Sequence, residues 1–137
     1  MNDMEEGMIR LATALDKQDM IGFTRSFVSD LRKGREAVNR DLLPWLDDLD
    51  TGWSGVLCLG MGGSAAGGDF LSVLCDENGA VPVRCHRGYD LPNWWTPDWL
   101  ILATSYSGNT EETLEACRQA LQNDATMVVV SSGGELA

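Results

Sequence analysis

The sequence predicts an α/β fold built on a doubly wound parallel sheet, with helices ahead of it. Three observations carry that expectation. Four short runs, "GVLCLG", "VPVRCH", "WLILAT" and "TMVVVS", are apolar without strict alternation, as strands covered on both faces are. Helical patterns separate them in a βαβ rhythm. The first, third and fourth runs each empty into a turn rich in Gly and Ser. Right-handed crossovers gather such turns at one edge of a parallel sheet, which is where open α/β sheets bind ligands.

The elements follow in order. Residues 1–50 are expected to form a helical lead. Met4, Met8, Leu11 and Leu15 recur at helical spacing, as do Phe23, Phe27 and Leu31. Asp19 is the expected N-cap of the second stretch, and Pro44 with the acidic "DDLDTG" closes the region. Residues 51–137 hold the sheet. After the first run, "MGGSAAGGDFLSVLCDENG" reads as a Gly-rich turn opening a helix. After the third, "SYSGNT" precedes the helix "EETLEACRQALQND", with a start expected near Asn109. "SSGGELA" resembles a turn and the opening of a helix without its body. A single helical turn is not stable by itself, so a longer protein is expected; the other reading is a short domain that closes its sheet edge by dimerising.

Composition narrows the function. The 137 residues carry a net charge of −11 and two lysines, Lys17 and Lys33. Such a surface repels nucleic acid and anionic membranes. No run is long enough to span a bilayer, and "MNDMEEGMIR" is too acidic for a signal peptide, so a cytoplasmic location is expected. Cys58, Cys75, Cys85 and Cys117 form no C-x-x-C pair and read as reduced core residues. His86 has no companion at ligand spacing, so neither a metal site nor a cofactor is expected.

The turn after the third run is where chemistry is expected. A helix start offers free backbone N–H groups and the positive end of the helix dipole. Ser105, Ser107 and Thr110 can surround that point, and Gly108 permits close backbone approach. This is an anion cradle without lysine, suited to a phosphate monoester. Simple capping by Thr110 or Asn109 would account for one hydroxyl, not three. The first turn raises a rival, because Gly60, Gly62 and Ala65 match the dinucleotide pattern G-x-G-x-x-A. Arg84, Arg87 and Asp90, near the end of the second run, fit either reading. An NAD(P)-binding domain therefore stays open on the first turn, although it has no use for "SYSGNT". Trp94, Trp95 and Trp99 cluster beside the third run and are expected to cover the core or a domain interface, since the loop before a strand lies at the opposite edge from the site.

"GMGGSAAGGD", "YDLPNWWTPDWLILATSYSGNTEETLEA" and "VVVSSGGELA" together resemble the sugar isomerase (SIS) domain. Within it they are similar to the bifunctional phosphoglucose/phosphomannose isomerases, over roughly residues 56–137. The resemblance implies a five-stranded sheet of flavodoxin-like order, two such domains per chain and a homodimer. It implies interconversion of glucose 6-phosphate or mannose 6-phosphate with fructose 6-phosphate. Ser105, Ser107 and Thr110 would bind the phosphate, and Gly62, Gly63 and Ser64 would line the sugar side. Gly108, Asn109 and Arg84 are possible further contacts. The family's catalytic Glu and His have no matching motif up to Ala137, so no catalytic residue is assigned and the chain is expected to be inactive by itself. Glu111 and Glu112 would make weak bases in a first helical turn, where the dipole stabilises their charge. A non-catalytic SIS module that senses phosphosugars is the other reading of the same loops.

Overall fold

A computed structural model describes residues 3–38, 41, 43–49, 52–79 and 81–137. Asp50 and Thr51, in the acidic segment expected to close the helical lead, lie outside the described residues. The chain divides into two compact units, Met1–Leu49 and Asp50–Ala137.

The first unit contains α1 (Asp3–Leu15), α2 (Met20–Ala37) and a 3₁₀ turn at Pro44–Asp47. Two carboxylates cap α2. Asp16 accepts from the N–H groups of Met20 (2.7 Å) and Ile21 (2.8 Å), and Asp19, at φ 53°, accepts from Gly22 N. Three amides that the helix cannot itself satisfy thus find partners. Met4, Met8, Leu11, Leu15, Phe23, Phe27 and Leu31 keep the expected helical spacing, and all are more than half exposed.

The second unit carries β1 (Gly55–Leu59), α3 (Gly62–Asn78), β2 (Val83–His86), β3 (Trp99–Ser105), α4 (Glu111–Gln122) and β4 (Met127–Ser131). The sheet is parallel throughout, in the order β2-β1-β3-β4. The four strands expected from the apolar runs are those observed. The chain leaves β1 toward β2 on one side and continues through β3 and β4 on the other. The topological switch point therefore lies between the C-terminal ends of β1 and β3.

Leu57, Leu59, Ile101 and Ala103 form the core with Ala116, Cys117 and Ala120 of α4 and with Ala125. Small residues on α4 let the helix lie close to the sheet. On α3 the same purpose is served by Gly68, where a Cβ would come within 2.7 Å of Cys58 Cβ. Cys58 and Cys117 are buried free thiols, and that burial pushes each up to about 11, so both stay protonated at neutral pH. Cys75 and Cys85 are half-buried free thiols.

One buried polar group in α4 has no partner. Thr113 is 2% exposed and its hydroxyl makes no hydrogen bond. An unsatisfied buried hydroxyl costs about 1–3 kcal/mol. Thr113→Val keeps the shape and the β-branch while removing that group. It is expected to raise the unfolding free energy by about 1 kcal/mol, read from the urea midpoint at unchanged slope.

Some boundaries differ from the sequence reading. β3 runs on through Ser105, which pairs in register with Ser131. The helix expected to start near Asn109 starts at Glu111, with Thr110 as its N-cap residue. Gly62, Gly63 and Ser64, expected in a loop, form the first turn of α3. Residues 132–136 are turns, not the opening of a helix. Their amides bond back to the loop after β3, which holds them in that form.

Candidate functional site at the switch point

Ser105 closes β3 from below. It is 2% exposed, and its Oγ accepts from Gly108 N at 3.1 Å and lies 3.1 Å from Thr110 Oγ1. Gly108 N also reaches Ser105 O at 3.2 Å, and Asn109 N donates to Ser107 Oγ at 3.3 Å. The turn 105–110 is thus cross-braced by its own hydroxyls. Gly108 permits this with φ 65°, a conformation that non-glycine residues rarely adopt.

Turning Thr110 toward Ser105 has a consequence for α4. Thr110 stands at the N-cap position yet makes no side-chain cap bond. The same holds at α3, whose N-cap residue is Met61. Two helices therefore open at one sheet edge with no side chain on their first-turn amides. Each carries partial positive charge there.

A second set of bonds ties the loop after β4 to the loop after β3. Glu135 N donates to Asn109 Oδ1 at 3.0 Å, Leu136 N to Gly108 O at 3.0 Å, and the Ser132 hydroxyl to Tyr106 O. Asn109, a possible ligand contact on sequence grounds, spends its carboxamide oxygen on this tie.

Between the loops lies an open pocket of about 630 Å³. Of the residues expected at the site, Gly63 and Ser64 line it. Gly62 precedes them at φ 53°. Ser105, Ser107 and Thr110 are brought together in the adjoining turn but do not line the pocket: Ser105 is buried, Thr110 half-buried and Ser107 exposed. Thr104, Tyr106, Ser131 and Ser132 line it and were missed. The signal for Thr104 was available, because the residue before Ser105 along a strand must point to the other face. Val130, which also lines it, follows from its parallel register with Thr104.

Arg84 requires a correction. It does not reach the binding edge. Its Nη1 donates to Asp76 Oδ1 at 3.3 Å and to Val83 O at 2.8 Å, and Asp76 sits near the end of α3, away from its open first turn. Arg84→Ala is therefore expected to leave ligand affinity unchanged. The half-exposed pair should contribute no more than about 1 kcal/mol to stability, which calorimetric titration and a melting curve would measure together. Arg87 pairs with Asp69, and that hydrogen bond holds the Asp69 carboxyl below the usual carboxylate range. His86 Nε2 lies 2.7 Å from Asp90 O, which gives this histidine a structural partner. Trp95 and Trp99 lie against the core as expected for core cover, whereas Trp94 is 53% exposed and packs on Trp99 with ring centroids 5.0 Å apart. Among the described residues, no group of three or more His, Cys, Asp or Glu is placed to hold a metal ion. No helix among them is long and apolar enough to cross a membrane.

The parallel order and the switch-point pocket are those of the sugar isomerase (SIS) fold. A candidate phosphosugar isomerase from Bacillus subtilis shares that fold with a TM-score of 0.59 and 25% identity, over 72% of this chain and 32% of its own. More particularly, the chain is similar to bifunctional phosphoglucose/phosphomannose isomerases. The Caldicellulosiruptor bescii enzyme is 42% identical over 90 residues, 66% of this chain and 25% of the relative. The Thermoplasma volcanium enzyme is 38% identical over 82 residues, 60% of this chain and 26% of the relative. The resemblance read from the two loop motifs is borne out. The chain spans about a quarter of the length of these curated relatives. No family model matches it.

Proposed function

We propose that this chain is the phosphosugar-binding portion of an aldose–ketose isomerase acting on glucose 6-phosphate or mannose 6-phosphate and fructose 6-phosphate. The observation that carries the reading is a pocket at the switch point that is lined by the uncapped start of α3 and adjoined, through Tyr106, by the turn that leads to the uncapped start of α4. Oriented amides and hydroxyls neutralise a phosphate monoester without lysine, which suits a chain this acidic. The turn at Ser105, Ser107 and Thr110 is the proposed phosphate end. Gly62, Gly63 and Ser64 form the proposed sugar end.

Isomerisation through an enediol needs a base within hydrogen-bond reach of C1 and C2. The pocket lining contains no carboxylate and no imidazole. The base therefore comes from outside this lining, in keeping with a larger homodimeric cytoplasmic enzyme. The dinucleotide reading has no support from the relatives, whose names are those of isomerases.

Thermal shift tests the reading. Fructose 6-phosphate at about 100 Kd should add about 2.7 kcal/mol of stability, whereas NAD and NADP should add none. Ser107→Ala should weaken the sugar phosphate by about 1–3 kcal/mol, because its exposed hydroxyl borders the open amides. Stabilisation by the dinucleotides and not by the sugar phosphate would reverse the assignment.

A further inference from the structure

We propose that Thr104 is a specificity-determining residue, the fixed polar group that selects a polyhydroxylated monoester over a bare phosphate. The assignment rests on the phosphosugar reading above and names the part of the site that reads the sugar.

The pocket lining contains hydroxyls in two conditions. Ser131 Oγ donates to Gly133 O at 2.7 Å, and the Ser132 hydroxyl donates to Tyr106 O, so both are engaged within the protein. Ser64, Thr104 and Tyr106 make no side-chain hydrogen bond to any described residue. These three differ in how firmly they are held. Tyr106 is 82% exposed on the rim, in the turn after β3. Ser64 stands in the first turn of α3, on the helix side of the proposed sugar end.

Thr104 stands on the strand itself. It is half-buried, one residue before the end of β3 and paired in register with Val130 of β4. Alternation along the strand sets its side chain on the face opposite Ser105. Gly60 lies against its backbone, where an added Cβ would come within 3.0 Å of Thr104 O, so the β1 side of this floor carries no side chain. A β-branched residue held in a ladder has few χ1 choices. The result is a side chain at a fixed position in the pocket lining, beside the apolar Val130 and Met61, with a hydroxyl that bonds to no described residue. A site with such an unpaired hydroxyl favours a ligand that supplies a hydrogen-bonding partner and discriminates against one that does not. A sugar hydroxyl supplies it. Inorganic phosphate, held at the adjoining turn, does not reach it.

The test uses the 137-residue chain and two probes, fructose 6-phosphate and inorganic phosphate, titrated calorimetrically. Thr104→Val should weaken fructose 6-phosphate about tenfold and leave inorganic phosphate unchanged. Thr104→Ser, which keeps the hydroxyl, should restore most of the loss. An equal loss for both probes, or no loss for the sugar phosphate, would overturn the assignment while leaving the phosphosugar reading intact. A wild-type chain that binds neither probe would overturn that reading, and this assignment with it. Melting curves of both variants identify a loss caused by unfolding, and the Thr104→Ser comparison then decides.

Discussion

Gly108→Ala is expected to lower the unfolding free energy by about 3 kcal/mol and to abolish sugar-phosphate binding. Two costs add. Residue 108 sits at φ 65°, where an L side chain costs about 1–2 kcal/mol. A Cβ there would also meet Gly133 O at 1.7 Å and Ser131 Oγ at 2.8 Å, a distance that no small adjustment relieves. Either the turn flips or residues 131–136 move away, at about 1–3 kcal/mol for overpacking. Both routes break Leu136 N to Gly108 O and Glu135 N to Asn109 Oδ1, and both disturb the Ser105 brace. Gly34→Ala is the control. It lies in α2 with nothing near an added Cβ, and should stabilise by up to about 1 kcal/mol. Urea titration of the two variants measures the contrast. A Gly108→Ala chain as stable as the parent would show that the turn is not packed as described.

Ile101→Ala should cost about 2–5 kcal/mol, the largest effect expected from a single core truncation here. Ile101 is 0% exposed, pairs in register with Leu57 on one side and Met127 on the other, and belongs to the core against α4. The small residues Ala116 and Ala120 cannot expand to fill the cavity. The same strand delivers Thr104 and Ser105 to the edge, so a loosened β3 should weaken sugar-phosphate binding as well. A loss below about 1 kcal/mol in the urea-derived free energy would mean that the site collapses around the cavity far more readily than a packed sheet does.

The sheet was legible because its signals are local. Apolar runs such as "WLILAT", followed by Gly and Ser and then by a helical pattern, have few other solutions in a parallel fold. The edge that carries the site follows from handedness. Part of the site was equally open to reading, since three hydroxyls with a Gly in "SYSGNT" exceed what capping needs. What the sequence concealed was the division of labour among those hydroxyls. Ser105 and Thr110 bond to each other and brace the turn, which leaves the helix uncapped. That depends on β3 continuing one residue past the expected end, a shift that propensity cannot resolve. Thr104 was overlooked because it reads as the tail of an apolar run, although alternation with Ser105 places it on the pocket floor. Arg84 was assigned by charge, and the end of α3 at which Asp76 waits for it is a matter of helix length and crossover.

Amide chemical shifts give the most direct test of the central claim, that a phosphate monoester is held by the backbone at the switch point. Titrating the nitrogen-15-labelled chain with fructose 6-phosphate should perturb most strongly the amides of Gly62, Gly63 and Ser64 and those of Ser107, Gly108, Glu111 and Glu112. Saturation with those amides unmoved, or with shifts confined to the Asp76 and Arg84 end of the sheet, would contradict it.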